Sequence, residues 1–65
     1  NINRNILLND LPAYAACMHS GSEIYMSGFY VEDIPAIRKK GESLGMSFVH
    51  HREKHNWAAV KLVME

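Results

Sequence analysis

Residues 46–64, MSFVHHREKHNWAAVKLVM, decide the architecture, because they read as two strands separated by only two residues. Apolar and polar residues mix on both sides of His55-Asn56, and a two-residue connection is what a tight hairpin requires. Asn56 suits such a turn because it tolerates positive φ. The C-terminal third of the chain is therefore expected to be an antiparallel hairpin.

Working back, VEDIPAIRKKGESLG (31–45) has acidic residues in its first turn, Pro35 early, apolar Ile34, Ile37 and Leu44, and a terminating Gly45. It reads as a helix. Gly41 falls on its apolar stripe, where glycine costs helix propensity, so its expected use is close packing of the helix against a sheet. EIYMSGFY (23–30) is rich in strand-forming residues, with Ile24, Met26 and Phe29 interleaved so as to suit a central strand covered on both faces. Before it, Ile6, Leu7, Leu8, Leu11, Tyr14, Ala15 and Met18 recur at helical spacing from Arg4 to Met18, with Asn3 as N-cap. Pro12 interrupts that pattern, and Asp10 is placed to cap a second start, so a kink or restart, and not an end, is expected there. Gly21 in HSGS is the expected left-handed residue. The order helix, strand, helix, strand, strand predicts an α/β fold with one right-handed β-α-β unit followed by an antiparallel hairpin.

Sixty-five residues, 48% hydrophobic and 22% charged, give an ordinary globular composition and allow one domain at most. Below ~70–80 residues a core usually needs a disulfide, a metal or a partner, and Cys17 has no second cysteine to pair with. The expectation is a marginal domain, an oligomer, or a piece of something larger. A formal net charge of zero, with no basic run longer than Arg38-Lys39-Lys40, gives no support to nucleic-acid binding. The absence of an apolar run of about 18 residues gives none to a membrane span. A free cysteine and four methionines suit a cytoplasmic setting, and Cys17 reads as a small apolar filler, not a nucleophile.

His50, His51 and His55 form the one cluster with metal-binding chemistry. Neighbours on a strand face opposite ways unless the strand is bulged there, and no cysteine or carboxylate stands at a ligand spacing, so no metal site is expected. His19 adds nothing to the cluster. Trp57 reads as a cross-strand packing residue. Ser27-Gly28 is a candidate site by position, since ligands of open α/β sheets lie beyond the carboxyl ends of strands. Asn1-Ile2 leaves two roles open: an amide can cap the helix that follows, or hold a polar substrate group beside a cofactor.

From end to end the chain resembles the C-terminal part of the bacterial ribosomal protein L-eleven methyltransferases, class I S-adenosylmethionine-dependent enzymes. The residues that carry the resemblance are Asn1-Ile2, the leucine-rich ILLNDLP, the glycine turn, SGF (27–29) as the end of a strand, and the REKHNW hairpin. The resemblance implies a fold class: the C-terminal portion of a Rossmann-like methyltransferase sheet, with the final strand inserted antiparallel between the two before it. On this basis residues 1–65 are a single partial domain. The resemblance also implies that Asn1 contacts the methyl donor and acts in catalysis, with Ile2 as a cofactor-contacting neighbour, and that the parent methylates a lysine or N-terminal amine of a ribosomal protein.

Such a transfer is an in-line displacement from a sulfonium by a neutral amine, which the protein must hold in near-attack geometry. A lysine with a pKa near ~10.4 needs desolvation or a nearby carbonyl oxygen to shed its proton, and an asparagine oxygen meets that need. The family's glycine-rich loop and ribose-binding acid are absent, and Asn3-Arg4 makes a more polar lead into the helix than the family pattern. The opening NINRNILLNDL thus reads as a cut just after a strand, and the isolated chain is expected to be inactive and to bind S-adenosylmethionine weakly. Its partner would be the missing N-terminal half or a second copy of itself. The alternative is a stand-alone α/β interaction or dimerisation module without catalysis, and a third, weaker reading is a histidine-hairpin metal binder.

Overall fold

In a computed structural model, which describes residues 4–65, the chain forms helix α1 (Arg4–Cys17), strand β1 (Glu23–Tyr30), a 3-10 turn (Val31–Asp33), helix α2 (Ile34–Ser43), and strands β2 (Met46–Lys54) and β3 (Trp57–Met64). The strand order is β1-β3-β2, and both outer strands run antiparallel to β3. β1 and β2 are therefore parallel to each other but separated. The last strand fills the gap, as the resemblance implies, and the expected β-α-β unit is split by it.

That topology corrects one expectation from composition. Among the described residues β1 is an edge strand and β3 is the central one. β1 is also covered on one face only: Met26 and Phe29 are buried, while Tyr25 is 64% exposed. Its run of apolar residues looked two-sided because a bulge at Gly28 shifts the alternation. Ser27 pairs with Ala59 and Phe29 with Ala58, so Gly28 has no partner in the register. Gly28 takes φ +92, a conformation that glycine adopts without steric cost.

Both helices pack on the face of the sheet that carries Ala58, Val60 and Leu62. Leu7 and Leu11 from α1 and Ile37 from α2 meet Met26, Phe29 and Met46 there. Each large side chain so buried contributes about 1.5–3 kcal/mol. α1 continues through Pro12 as a single helix and does not restart at Asp10. Proline costs a backbone hydrogen bond, but Leu7 and Leu11 before it and the half-buried Ala15 and Met18 after it all dock on the same core. Tertiary packing thus overrides the local break. Asn3, the expected cap, lies outside the described residues. Cys17 is exposed at the end of α1, so it is not the core filler its type suggested.

Pro35 occupies the first turn of α2, and Gly45 ends the segment at φ +91, as the sequence predicts. Gly21 has φ +89 in the turn before β1, where its N–H donates to the Met64 carbonyl at 2.8 Å. Gly41 is buried over β3: a methyl group in place of its hydrogen would lie 2.8 Å from Leu62 Cδ1. The expected close approach of α2 to the sheet is therefore present.

The hairpin turn places His55 at φ 52 and Asn56 at φ 68, the pair of left-handed residues that a two-residue turn of this hand demands. A β-branched residue is poorly tolerated there. His55→Val is expected to lower stability by about 1–2 kcal/mol, seen as a lower urea midpoint at unchanged slope, whereas His55→Gly should not.

Candidate functional site

The carboxyl ends of β1 and β2 lie at the same end of the sheet as the hairpin turn, since both strands run antiparallel to β3. A shallow, open depression of about 460 Å³ lies there, bordered by Ser27, Gly28, Arg52, Glu53, Lys54, Trp57, Ala58 and Ala59. Ser27-Gly28, singled out by position, therefore does border a depression. It sits at the bulge inside β1 and not at the strand's end, which runs on to Tyr30. The small floor is a direct outcome of sequence: Ser27 pairs with Ala59 across the ladder, and Gly28 carries no side chain.

The sides of the depression are fixed by contacts between distant parts of the chain. Trp57 pairs with Tyr30 across β1 and β3, and the two rings stack with centroids 4.7 Å apart and planes 24° from parallel. The packing role expected of Trp57 is the one it has, although both rings remain about two-fifths exposed. The turn itself is held down by two bonds. The Asn56 side-chain amide donates to Glu32 Oε1 at 3.2 Å, and the Val31 N–H donates to the Asn56 carbonyl at 3.0 Å. One further contact anchors the segment after β1: the Asp33 carboxylate accepts from the Tyr30 N–H at 3.2 Å and lies 3.7 Å from the Arg4 guanidinium. The hairpin tip and the loop after β1 are thus one connected unit.

The charged groups divide into satisfied and unsatisfied. Lys61 Nζ lies 3.3 Å from Glu23 and 5.4 Å from the centre of the Tyr25 ring. Its pKa is raised, first by the Tyr25 hydroxyl and then by the Glu23 carboxylate, both of which favour the cation. Arg38 pairs with Glu42 at 3.1 Å and stands 4.8 Å over the Phe48 ring, so the basic run 38–40 is partly engaged in packing. Arg52 and Lys54, on the face of β2 that carries the depression, form no ion pair among the described residues. Sequence reading passed over them, and the signal available was their spacing: residues two apart on a strand share a face.

The histidines do not converge. His50 pairs with Lys61 and His51 with Val60, hence opposite faces, while His55 occupies the turn. His51 Nε2 instead lies 3.2 Å from Glu53 Oε1. Among the described residues no three His, Cys, Asp or Glu side chains are grouped to hold a metal ion. Asn1 and Ile2, the residues expected to touch cofactor and substrate, lie outside the described residues, which begin three positions after the start of the chain.

No family model matches the chain. Whole proteins of known name do. A ribosomal protein L11 methyltransferase of Phocaeicola vulgatus is 78% identical over 65 residues, which are 100% of this chain and 23% of that protein. The protein of the same name from Bacteroides fragilis is 67% identical over 98% of the chain and 23% of its own length, and that from Porphyromonas gingivalis 46% identical over 94% and 21%. Among solved structures, the crystal structure of ribosomal protein L11 methylase from Lactobacillus delbrueckii subsp. bulgaricus superposes with a TM-score of 0.87 over 100% of this chain and 34% of that one, at 17% identity. That likeness shows the fold: the helices and the split antiparallel sheet are part of a class I methyltransferase fold. The chain spans less than a quarter of the length of its curated relatives. Along its whole length the chain matches the C-terminal part of proteins named ribosomal protein L11 methyltransferase.

Proposed function

We propose that residues 1–65 are one partial domain of a methyltransferase that moves a methyl group from S-adenosylmethionine to a lysine or N-terminal amine of a ribosomal protein. The observation that carries this reading is the 78% identity, over the whole chain, to a relative of that name. The exposed edge supports it. Beside β1 a groove of about 450 Å³ is lined in part by Leu7, Tyr14, Ile24 and Met26, apolar surface suited to the continuation of the domain. The same edge would serve a dimerising module, so the oligomeric state of the 65-residue chain separates the two: a stable dimer favours the module.

The donor supplies an electrophilic methyl on a sulfonium. This chain has few means of holding it alone, because its four glycines are all otherwise engaged: Gly21 in a turn, Gly28 in the bulge, Gly41 against Leu62, Gly45 at the end of α2. None is left for a glycine-rich loop. In this reading the Asn1 amide oxygen accepts a hydrogen bond from the attacking amine and keeps it neutral and oriented, and Ile2 packs beside the donor. No helix among the described residues is long and apolar enough to cross a membrane, which is compatible with cytoplasmic action on a ribosomal protein.

In the full-length protein, Asn1→Ala is expected to lower kcat on the order of 100-fold with a smaller change in KM, measured as transfer of labelled methyl to the ribosomal protein. Wild-type turnover in that variant would remove Asn1 from the mechanism. Failure of the wild-type protein to label any amine would sink the whole reading. The isolated chain should not bind S-adenosylmethionine tightly, and micromolar affinity by calorimetry would contradict the claim that its donor site is incomplete.

A further inference from the structure

We infer that Asp33 is a positioning residue for the proposed methyl transfer: by gripping Arg4 it fixes the start of α1, three residues from Asn1, against the loop that follows β1. This deepens the proposed function and rests on its assignment of Asn1 to the attacking amine. Three observations converge. Arg4, Asn5 and Ile6 are exposed, and the first side chain of α1 buried in the core is Leu7, so the core takes hold of the helix only from Leu7 onward. The Asp33 carboxylate reaches the part that the core does not: Oδ1 lies 3.7 Å from the Arg4 guanidinium, while Oδ2 accepts from the Tyr30 N–H at 3.2 Å. The turn that carries Asp33 is itself held, by the bond from Asn56 to Glu32 and by the stack of Tyr30 on Trp57, so the carboxylate is fixed before Arg4 meets it.

An ordinary surface ion pair is the plainer reading, and two facts count against it. An arginine in the first turn opposes the helix dipole, whose positive end lies there, and α1 has no acidic residue in that turn to offset it. The Asp33 carboxylate supplies that negative charge from outside the helix. The other ion pairs of the described residues tie α2 to itself (Arg38–Glu42), β2 to itself (His51–Glu53) or β3 to its ladder neighbour (Lys61–Glu23), where hydrogen bonds already set the geometry. Arg4–Asp33 alone among them joins two elements that share no ladder. The contact is made within this chain, so it calls for no surface to stay free in the full-length protein. Three residues of chain span at most about 11 Å, so an anchor on Arg4 bounds the reach of the Asn1 amide. Methyl transfer is sensitive to that bound, since a misplacement of about 1 Å costs on the order of 100-fold in rate.

The test uses the full-length protein, with kcat and KM for methyl transfer and the thermal midpoint measured side by side. Asp33→Asn keeps an oxygen for the Tyr30 N–H but removes the charge that holds Arg4. It should lower kcat on the order of 10-fold while KM and the midpoint change little. Arg4→Gln should match it, and the double variant should be no slower than either single one. Arg4→Lys, which keeps the cation, should recover most of the rate. In the Asn1→Ala background Asp33→Asn should have no further effect on kcat, because Asp33 acts through Asn1. Wild-type kcat in Asp33→Asn, multiplying losses in the double variant, or an undiminished loss in the Asn1→Ala background would overturn the inference. So would a loss of rate that tracks a fall in the midpoint, which marks a merely structural role. If Asn1→Ala slows transfer and Asp33→Asn does not, this inference fails alone. Wild-type turnover in Asn1→Ala removes the role of Asn1 and this inference with it, and a wild-type protein that labels no amine removes the methyltransferase reading as a whole.

Discussion

Phe29→Ala is expected to destabilise the protein by about 3–5 kcal/mol, enough to abolish a cooperative unfolding transition in the 65-residue chain. Phe29 is 1% exposed and sits just after the bulge, where it reaches the core formed by both helices and β3. Truncation removes its transfer free energy and leaves a cavity that the β-sheet cannot close, because its backbone is pinned by the ladder to Ala58. A chain of this size has about 3–10 kcal/mol of stability in all. Urea unfolding followed by circular dichroism checks the expectation, and a midpoint within experimental error of wild type would show that Phe29 does not anchor the core. The loss should extend to the depression, since Gly28 and Tyr30 flank Phe29 and lose their placement with it.

Leu62→Ala is expected to cost about 2–5 kcal/mol for the same reasons, but with a partner that can be identified. Leu62 is fully buried in the central strand, and its Cδ1 fills the space left by the missing side chain of Gly41. In the wild-type background Gly41→Ala gains up to about 1 kcal/mol of helix propensity and then gives it back to the 2.8 Å approach of Leu62. Once Leu62 is alanine the approach disappears, and Gly41→Ala should become stabilising. A double-mutant cycle in urea should therefore show coupling of about 1 kcal/mol or more between positions 41 and 62. Additive effects would mean that α2 does not rest on Leu62.

Much of the fold was legible because it depends on neighbours in the chain. The α2 boundary follows from Pro35 and Gly45, the turn from His55-Asn56 flanked by strand-forming residues, and the use of Gly41 from its place on an apolar stripe. Errors arose where distant residues decide. Of the kink or restart expected at Pro12, the restart does not occur, because the core holds both halves of α1 in one helix. The apolar run of β1 mimicked a two-sided central strand because one bulge residue resets the alternation of faces. Cys17 is small and apolar, yet it falls on the outward side at the end of α1.

The candidate site divides in the same way. Ser27-Gly28 could be marked in advance because strand ends in α/β sheets are where ligands gather, and the implied role of Asn1 came from resemblance to a family. Arg52, Lys54 and the latch between Glu32 and Asn56 could not be marked, since each acquires meaning only when β3 is set between β1 and β2.

By itself the sequence determined the helices, the strands and the hairpin turn, because periodicity, glycine and proline act over a few bonds, and its 78% identity ties it to a relative named ribosomal protein L11 methyltransferase. Among the described residues the tertiary structure decided which strand is central, which face of the sheet the helices cover and which cations share the open face. Those outcomes rest on pairing between residues such as Ser27 and Ala59, and no local preference encodes a contact across that much chain.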